Sequence, residues 1–282
     1  MKGTTVGAEF AGVSTKTSFR EGVFDGRVAL VSGGGSGLGR AIAMRFAALG
    51  ASVAVCGRTK ERLDQTVGEI RELGGRCEAY PMTIRDPSAV AGLLDAVWKE
   101  FGGLDMLVNN AGGQYPQAAI DFTPKGWGAV IDTNLNGPWY MMQAAARRWR
   151  DAARPGCIIN IVTVVDRGQP GIAHTCAARA GIIHLSKTVA VEWAPLQVRV
   201  NCIAPGIFNT GGLDVYTEEA RKQWSGSNPM KRLGRPDEIA EACCFLASPS
   251  GAFVNGEVLT VDGGGHLWGE QWAIPRPGYF DV

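Results

Sequence analysis

Val28-Ala29-Leu30-Val31-Ser32-Gly33-Gly34-Gly35-Ser36-Gly37-Leu38-Gly39-Arg40 is the stretch on which the fold turns. A short apolar run enters a glycine-rich turn, and a helical pattern leaves it. A turn of this kind brings backbone N–H groups and a helix amino end up to a pyrophosphate. In that reading Gly33 permits the turn, Gly37 lets the backbone approach closely, and Gly39 lets helix and strand pack. Ser32, Gly33, Gly35, Ser36, Gly37, Leu38 and Gly39 are thus the first expected dinucleotide contacts. The string alone could also be a flexible loop. Its position, after a first strand and at the head of a repeating pattern, argues for the dinucleotide site.

Working outward, short β-branched runs at 27–31, 52–56, 77–80, 106–109, 158–162, 199–203 and 257–260 alternate with helical stretches. The helical stretches span 39–48, 60–73, 88–101, 126–150, 173–193 and 236–246. Such alternation builds right-handed βαβ units on a parallel sheet. The expected fold class is α/β, a Rossmann-type doubly wound parallel sheet in a single domain spanning 23–282. Residues 1–22 read as a Gly/Thr/Ser-rich tail. The irregular stretch at about 206–233, after a strand's carboxyl end, reads as a substrate lid.

Composition narrows the function classes. With 282 residues, 45% hydrophobic and 20% charged, the chain can bury a sizeable core. Its 28 basic and 27 acidic residues leave a formal charge of +1, too little to attract nucleic acid or a membrane surface. Glycine is the outlier: 39 residues against roughly 20 at the usual frequency of about 7%. The seven cysteines sit mostly in apolar runs with no C-x-x-C pair, and 1–26 holds no secretory apolar stretch. The expectation is reduced thiols and a cytoplasmic location. The three histidines lack metal-ligand spacing, so no metal is expected.

The second strand ends Val55-Cys56-Gly57-Arg58-Thr59-Lys60. An NAD site usually has a carboxylate here for the ribose 2′-OH. Gly57 and Arg58 stand there instead, with Lys60 and Arg62 near, and a 2′-phosphate prefers a guanidinium. NADP(H) is therefore the expected cofactor, the alternative being that these cations are only a solvated helix turn.

Further motifs complete the pattern. The 32–39 turn, Asn109-Asn110-Ala111-Gly112, Asn134-Leu135-Asn136-Gly137, the 205–210 stretch Pro205-Gly206-Ile207-Phe208-Asn209-Thr210 and Asp262-Gly263-Gly264 occur in the order seen in short-chain dehydrogenases/reductases. The chain resembles that family over roughly residues 25–265. The resemblance implies a nicotinamide cofactor, a small-molecule substrate and a homodimer or homotetramer. It implies further that Asn110, Ala111 and Gly112 line the adenosine side, and that Pro205, Gly206, Ile207 and Thr210 approach the nicotinamide. Thr83, followed by Ile84, takes the place of the family's adenine-contacting Asp.

The catalytic end departs from the family. Its tetrad is Asn, Ser, Tyr and Lys; the places fall on Asn134, Thr163, Thr175 and Arg179. A Thr hydroxyl is far less acidic than a phenol, and Arg cannot be deprotonated in a protein. Lys187 lies eight residues beyond Arg179, about 12 Å along a helix at ~1.5 Å per residue, too far to substitute. Oxidation of an alcohol, which needs a base, is disfavoured. The segments 110–115, 125–127, 133–137 and 174–181 look instead like trans-2-enoyl-CoA reductases of peroxisomal type, related to 2,4-dienoyl-CoA reductases, although Ile183 replaces a Tyr of the former. Reduction of a C=C bond in an acyl thioester develops charge on the thioester oxygen, where hydrogen-bond donors suffice. In this reading Thr163, Asn136 and Thr175 stabilise the oxygen, Arg179 anchors the nicotinamide ribose, and Asn134 holds a water. Two alternatives stand beside it: a carbonyl reductase or alcohol dehydrogenase with an altered tetrad, and a non-catalytic cofactor-binding subunit. Asp166, His174 and Cys176 read as bland loop or packing groups, Gln114 and Tyr115 as possible substrate neighbours. Lys222, Lys231 and Arg232 are candidates for CoA phosphates, ahead of Arg147, Arg148, Arg150 and Arg154. Trp268, Trp272 and the Pro275-Arg276-Pro277 tail read as packing or subunit contact.

Overall fold

Both faces of every central strand must be covered if the sheet is parallel, and the apolar runs of the chain satisfy this. In the computed structural model, which describes residues 17–215, 218 and 224–268, seven strands form one parallel sheet. They are β1 (Val28–Ser32), β2 (Ser52–Gly57), β3 (Cys77–Pro81), β4 (Met106–Asn109), β5 (Gly156–Ile161), β6 (Val198–Pro205) and β7 (Val258–Val261). Their spatial order is β3-β2-β1-β4-β5-β6-β7. The order reverses direction between β1 and β4, which places a crevice at their carboxyl ends. All seven expected strands are present, displaced by at most three residues at an end.

Alternate residues of β1 and β2 divide between two cores. Ala29, Val31, Val53 and Val55 face one that is closed by α1 (Gly37–Ala48), α2 (Lys60–Glu72) and the helix Pro236–Ala247. Val28, Leu30, Ala54 and Cys56 face the other, closed by α3 (Pro87–Phe101) and two later helices. α3 shows why these segments are helical. Asp86 caps it by accepting from Ser88 N at 2.8 Å and Ala89 N at 3.3 Å, and Gly102 ends it in the left-handed region at φ 76°. Val90, Leu93, Leu94 and Val97 recur at helical spacing and are buried, each contributing about 1.5–3 kcal/mol. No helix among the described residues is long and apolar enough to cross a membrane.

One expectation changes, and two segments gain detail. The stretch 126–150 is not one helix but α4 (Pro124–Ile131), a π turn (Asp132–Asn136) and α5 (Gly137–Asp151). Pro138 has no N–H to give the Asn134 carbonyl, and Gly137 N bonds five residues back to Asp132 O. Two further α-helices among the described residues are α6 (Ala173–Glu192) and α7 (Pro236–Ala247). At the end of the expected 1–22 tail, Phe19 packs on the first core, and just beyond it Phe24 sits edge-on to Phe46 at 5.2 Å. The lid stretch begins and ends pinned. Phe208 bridges to Gly234, where an added Cβ would stand 2.4 Å from the Phe208 ring. Between these ends lie short turns at Gly211–Val215 and Trp224–Gly226. Lys222, Trp272 and the Pro275-Arg276-Pro277 tail lie outside the described residues.

Candidate active site

The phosphate turn depends on glycine at particular places. Gly33 has φ +67° and Gly37 φ +53°, the region glycine enters freely. A Cβ on Gly39 would stand within 2.2 Å of Gly33 O and 2.4 Å of Asn110 Nδ2. Asn110 holds the turn from β4: its Nδ2 donates to Ser32 O at 3.1 Å and Gly33 O at 3.3 Å. The Ser32 hydroxyl accepts from Asn110 N at 3.1 Å and Ala111 N at 3.0 Å. Ser therefore supplies the short hydroxyl that ties the β1 and β4 ends together. Unlike α3, α1 has no side-chain cap: Ser36 stands at its N-cap without such a bond. The leading N–H groups of α1 are left for a ligand.

A cavity of about 300 Å³ opens beside this turn. Its wall includes Gly33, Gly35 and Ser36 from the turn, Gly57 and Arg58 after β2, Thr83 and Ile84 after β3, and Asn110, Ala111 and Gly112 after β4. The sequence-predicted adenosine contacts thus converge. Arg62, expected nearby from the sequence, also lines it, as does Arg85, which was not assigned to the site. Arg85 is half spent on Asp132 at 3.5 Å, and Lys60 pairs with Asp64 rather than reaching the cavity. Arg58 and Arg62 have no carboxylate partner among the described residues. The helical register explains Arg62: it lies on the α2 face that meets Gly35.

Leu38, Pro205, Gly206, Ile207 and Thr210 line a second cleft of about 620 Å³, together with Gln114 and Thr163. Arg167 and Gln169 from the β5–α6 loop and His266 after β7 also line it, residues that the motifs did not signal, together with Asp262 of the Asp262-Gly263-Gly264 motif and Ser227 and Asn228. Arg179 lines neither the cleft nor the cavity, but its guanidinium lies against Gly112 of the cavity wall. A Cβ on Gly112 would stand 2.1 Å from Arg179 Nη2 and 3.0 Å from Asn134 Oδ1, so these three groups share one corner. Arg179 is 7% exposed and has no carboxylate beside it among the described residues. Burial pushes its guanidinium down to about 10, which still leaves it charged at neutrality. A charge held in this way is costly unless a ligand meets it.

The rest of the altered tetrad separates. Asn134 spends its amide on Gly113, donating to its O at 2.9 Å and accepting from its N at 3.0 Å. Its side chain therefore shapes the Asn110–Gly113 turn and is not aimed at a water. Asn136 donates to Asp132 Oδ1 at 2.9 Å along its own π turn. Thr175 is 3% exposed, with its hydroxyl 3.4 Å from His174 Nδ1. Neither Asn136 nor Thr175 lines the cleft; Thr163 alone of the expected oxygen donors does. His174 is not a loop group but fully buried, between Tyr115 at 4.8 Å and Phe122 at 4.3 Å. Burial holds its imidazole below the usual range. Tyr115 belongs to that aromatic nest, Asp166 and Lys187 are exposed, and Cys176 is half-buried. Arg232 is held by Glu238 at 2.7 Å, and Lys231 lies 5.9 Å from the Trp268 ring centre. Arg148 pairs with Asp95 and Arg154 donates to Gly102 O, both away from the cleft.

Comparison with known proteins bears on this geometry. A family profile described as "Enoyl-(Acyl carrier protein) reductase" matches residues 33–266. A probable 2,4-dienoyl-CoA reductase of Bacillus subtilis is 40% identical over 256 residues, covering 89% of this chain and 98% of that protein. A 3-oxoacyl-(acyl-carrier-protein) reductase of Thermotoga maritima is 35% identical over 85% of this chain and 98% of its own length. Among solved structures, a citronellol catabolism dehydrogenase of Pseudomonas aeruginosa superposes with a TM-score of 0.79 at 38% identity, over 89% of this chain and 99% of that one.

Proposed function

Because the chain belongs to the short-chain dehydrogenase/reductase family, we propose that it is an NADP(H)-dependent reductase of the C=C bond of an enoyl- or dienoyl-CoA thioester. The observation that carries the reading is the corner at Gly112. It holds a permanently charged guanidinium where the family's proton-relaying lysine would stand, and it has no phenol. Such a corner can bind and polarise, but it cannot take a proton from an alcohol. The similarity to a probable 2,4-dienoyl-CoA reductase supports the same choice.

The turn fits a dinucleotide, since Gly33 and Gly37 take positive φ, a Cβ on Gly37 would meet nothing closer than Thr210 at 3.5 Å, and the amino end of α1 carries no side-chain cap. The Gly33–Gly39 turn and the open amino end of α1 would hold its pyrophosphate, and Asn110, Ala111 and Gly112 its adenosine. Arg58 and Arg62 would hold a 2′-phosphate, which is why NADP(H) is favoured over NAD(H). Arg179 would hold the nicotinamide ribose, with Pro205, Gly206, Ile207 and Thr210 beside the ring. When bound, NADPH supplies the hydride. The chain's own contribution is positional and electrostatic. Thr163 donates a hydrogen bond to the thioester oxygen as charge develops there, and Arg179 raises the local positive potential. Asn134 acts through Gly113, keeping the Asn110–Gly113 turn in place. The unpaired cysteines support a reducing, cytoplasmic setting. Exposed Val191 on α6 and Phe253 after α7 support a homodimer or homotetramer.

The test is NADPH oxidation with trans-2-enoyl-CoA, a dienoyl-CoA and a ketone and aldehyde panel. The reading expects turnover of the thioesters and a fall of roughly 10²-fold on Thr163→Ala or Arg179→Ala. Wild-type rates in both variants would remove the assignment. The second reading, a carbonyl reductase, is favoured by the similarity to a 3-oxoacyl reductase, and turnover confined to the ketone panel would select it.

A further inference from the structure

Reduction by hydride leaves a carbanion or an alkoxide that must take up one proton, and the altered tetrad has no residue to give it. Thr175 is sealed, and a guanidinium does not release its proton. Among the described residues lining the 620 Å³ cleft, the titratable side chains are Arg167, Asp262 and His266. Arg167 is excluded on the same chemical ground and is engaged with Trp268 O at 2.7 Å. Asp262 is occupied as an acceptor: Oδ1 takes Gly264 N at 2.9 Å, and Oδ2 takes both N and Nδ1 of His266, at 2.6 and 2.9 Å.

The turn after β7 builds this pair. Gly263 at φ +65° and Gly264 at φ +79° reverse the chain so that His266 returns onto the carboxylate four residues before it. The Asp262 side chain is 5% exposed and that of His266 26% exposed. A carboxylate oxygen only accepts, so Nδ1 carries the hydrogen between them and Nε2 is the ring nitrogen left for other work. Asp262 also backs Gly206, where an added Cβ would stand 2.7 Å from the Asp262 Cβ. The pair is therefore braced on the turn expected beside the nicotinamide. The other charged groups near His266, Arg232 and Glu238 in the adjoining cavity, are paired with each other.

We propose that the Asp262–His266 pair is the proton donor of the reduction. The inference rests on the reductase reading above. A bound dihydronicotinamide would supply the hydride, its C–H electron pair becoming the new C–H bond at the carbon distal to the thioester. The π pair of the alkene takes the Nε2 proton of the imidazolium at the carbon next to the carbonyl, directly or through one water. The substrate gains two electrons, the nicotinamide loses two, and solvent water returns the proton to the imidazole. Asp262, by accepting from Nδ1, leaves Nε2 as the nitrogen able to serve the cleft.

The experiment compares wild type and His266→Gln in deuterated water with NADPH and trans-2-enoyl-CoA. Wild type gives product with one solvent deuterium next to the thioester, in a single configuration. His266→Gln lowers kcat by roughly 10²-fold, within the usual range for a lost general acid. It leaves the KM for NADPH within about twofold, places deuterium in both configurations, and recovers part of its rate when imidazole is added. A melting curve and an NADPH titration confirm that the variant is folded. Asp262→Asn gives a smaller loss in kcat with the same mixed labelling. An unchanged rate with a single configuration in His266→Gln overturns the proposal. If wild type reduces ketones and no thioester, the C=C reading fails separately, and the His266→Gln rate ratio on the ketone still decides the role of His266. A wild type that turns over nothing overturns both.

Discussion

At the phosphate turn a missing side chain is the functional element; at the substrate corner a present one is. Gly39 and Gly112 mark the two places. A Cβ at Gly39 would meet the Gly33 backbone and the Asn110 amide, groups that the sheet fixes. A Cβ at Gly112 would meet the end of the Arg179 side chain, a group the site itself has brought in. One half of the crevice is backbone geometry that any family member can share. The other half is side-chain chemistry, and there the chain carries Thr175 and Arg179 at the places where the family resemblance puts Tyr and Lys. On the function proposed above, cofactor placement rests on backbone geometry and proton handling on side chains, so the two can be altered separately.

The largest effect should come from filling the cradle. Gly39→Ala forces backbone and the Asn110 amide apart, at a cost of about 1–3 kcal/mol in stability, and NADPH affinity should fall by at least roughly 10²-fold. Fluorescence titration of NADPH reads this, and an affinity within threefold of wild type would break the account of the turn. Arg179 makes the opposite kind of prediction. Arg179→Met removes a buried cation that has no carboxylate beside it. The activity should drop by roughly 10²-fold, while the apo protein holds its melting temperature or gains a few degrees, as expected when a buried charge gives way to an apolar isostere. A large loss of stability would show that Arg179 is a structural residue and not one held ready for a ligand.

What could be read from the sequence follows the same division. The seven strands and the 32–39 turn were legible because glycine spacing and apolar runs are local signals with one structural solution. The break in the 126–150 helix was not, although Pro138 carried the signal: a π turn and a kinked helix share the same apolar periodicity. Asn136 and Thr175 were expected in the site by motif position. Their side chains turn elsewhere because each finds a nearer partner, Asp132 Oδ1 for Asn136 and His174 for Thr175. Arg85 and His266 were missed for a related reason. They reach the two cavities from loops after β3 and β7, and only the order of strands in the sheet brings those loops to the same edge.

A smaller effect tests the cofactor half. Arg58→Ala should raise the KM for NADPH by about tenfold, the value of one charge-assisted contact, and leave that for NADH unchanged. Paired steady-state titrations check it. Equal loss toward both cofactors would mean that Arg58 supports the cavity wall instead of reading a 2′-phosphate, and a wild type that prefers NADH would end the NADP(H) assignment.

The smallest effect concerns the joint where the lid returns to the fold. Glu238 accepts from Arg235 N at 2.8 Å at the start of α7 and pairs with Arg232 at the end of the lid stretch. The hydrogen bond from Arg232 holds the Glu238 carboxyl below its ordinary 4.5, and the nearby Arg235 adds to the effect. A depressed folded-state value means that the ionised form is the stabilising one. Its contribution is complete above about 4.5 and is lost as pH falls through the lower folded value. Glu238→Gln should therefore cost under about 1 kcal/mol near pH 7, since Arg232 is 41% exposed and solvent screens the pair. The difference between variant and wild type should then close as pH falls below the lowered folded value, where the wild-type carboxyl is itself neutral. Melting curves of both proteins across that range measure it. A gap that persists in acid would assign the stabilisation to the helix-capping hydrogen bond at Arg235 N, and the lid would then be anchored through α7 and not through Arg232.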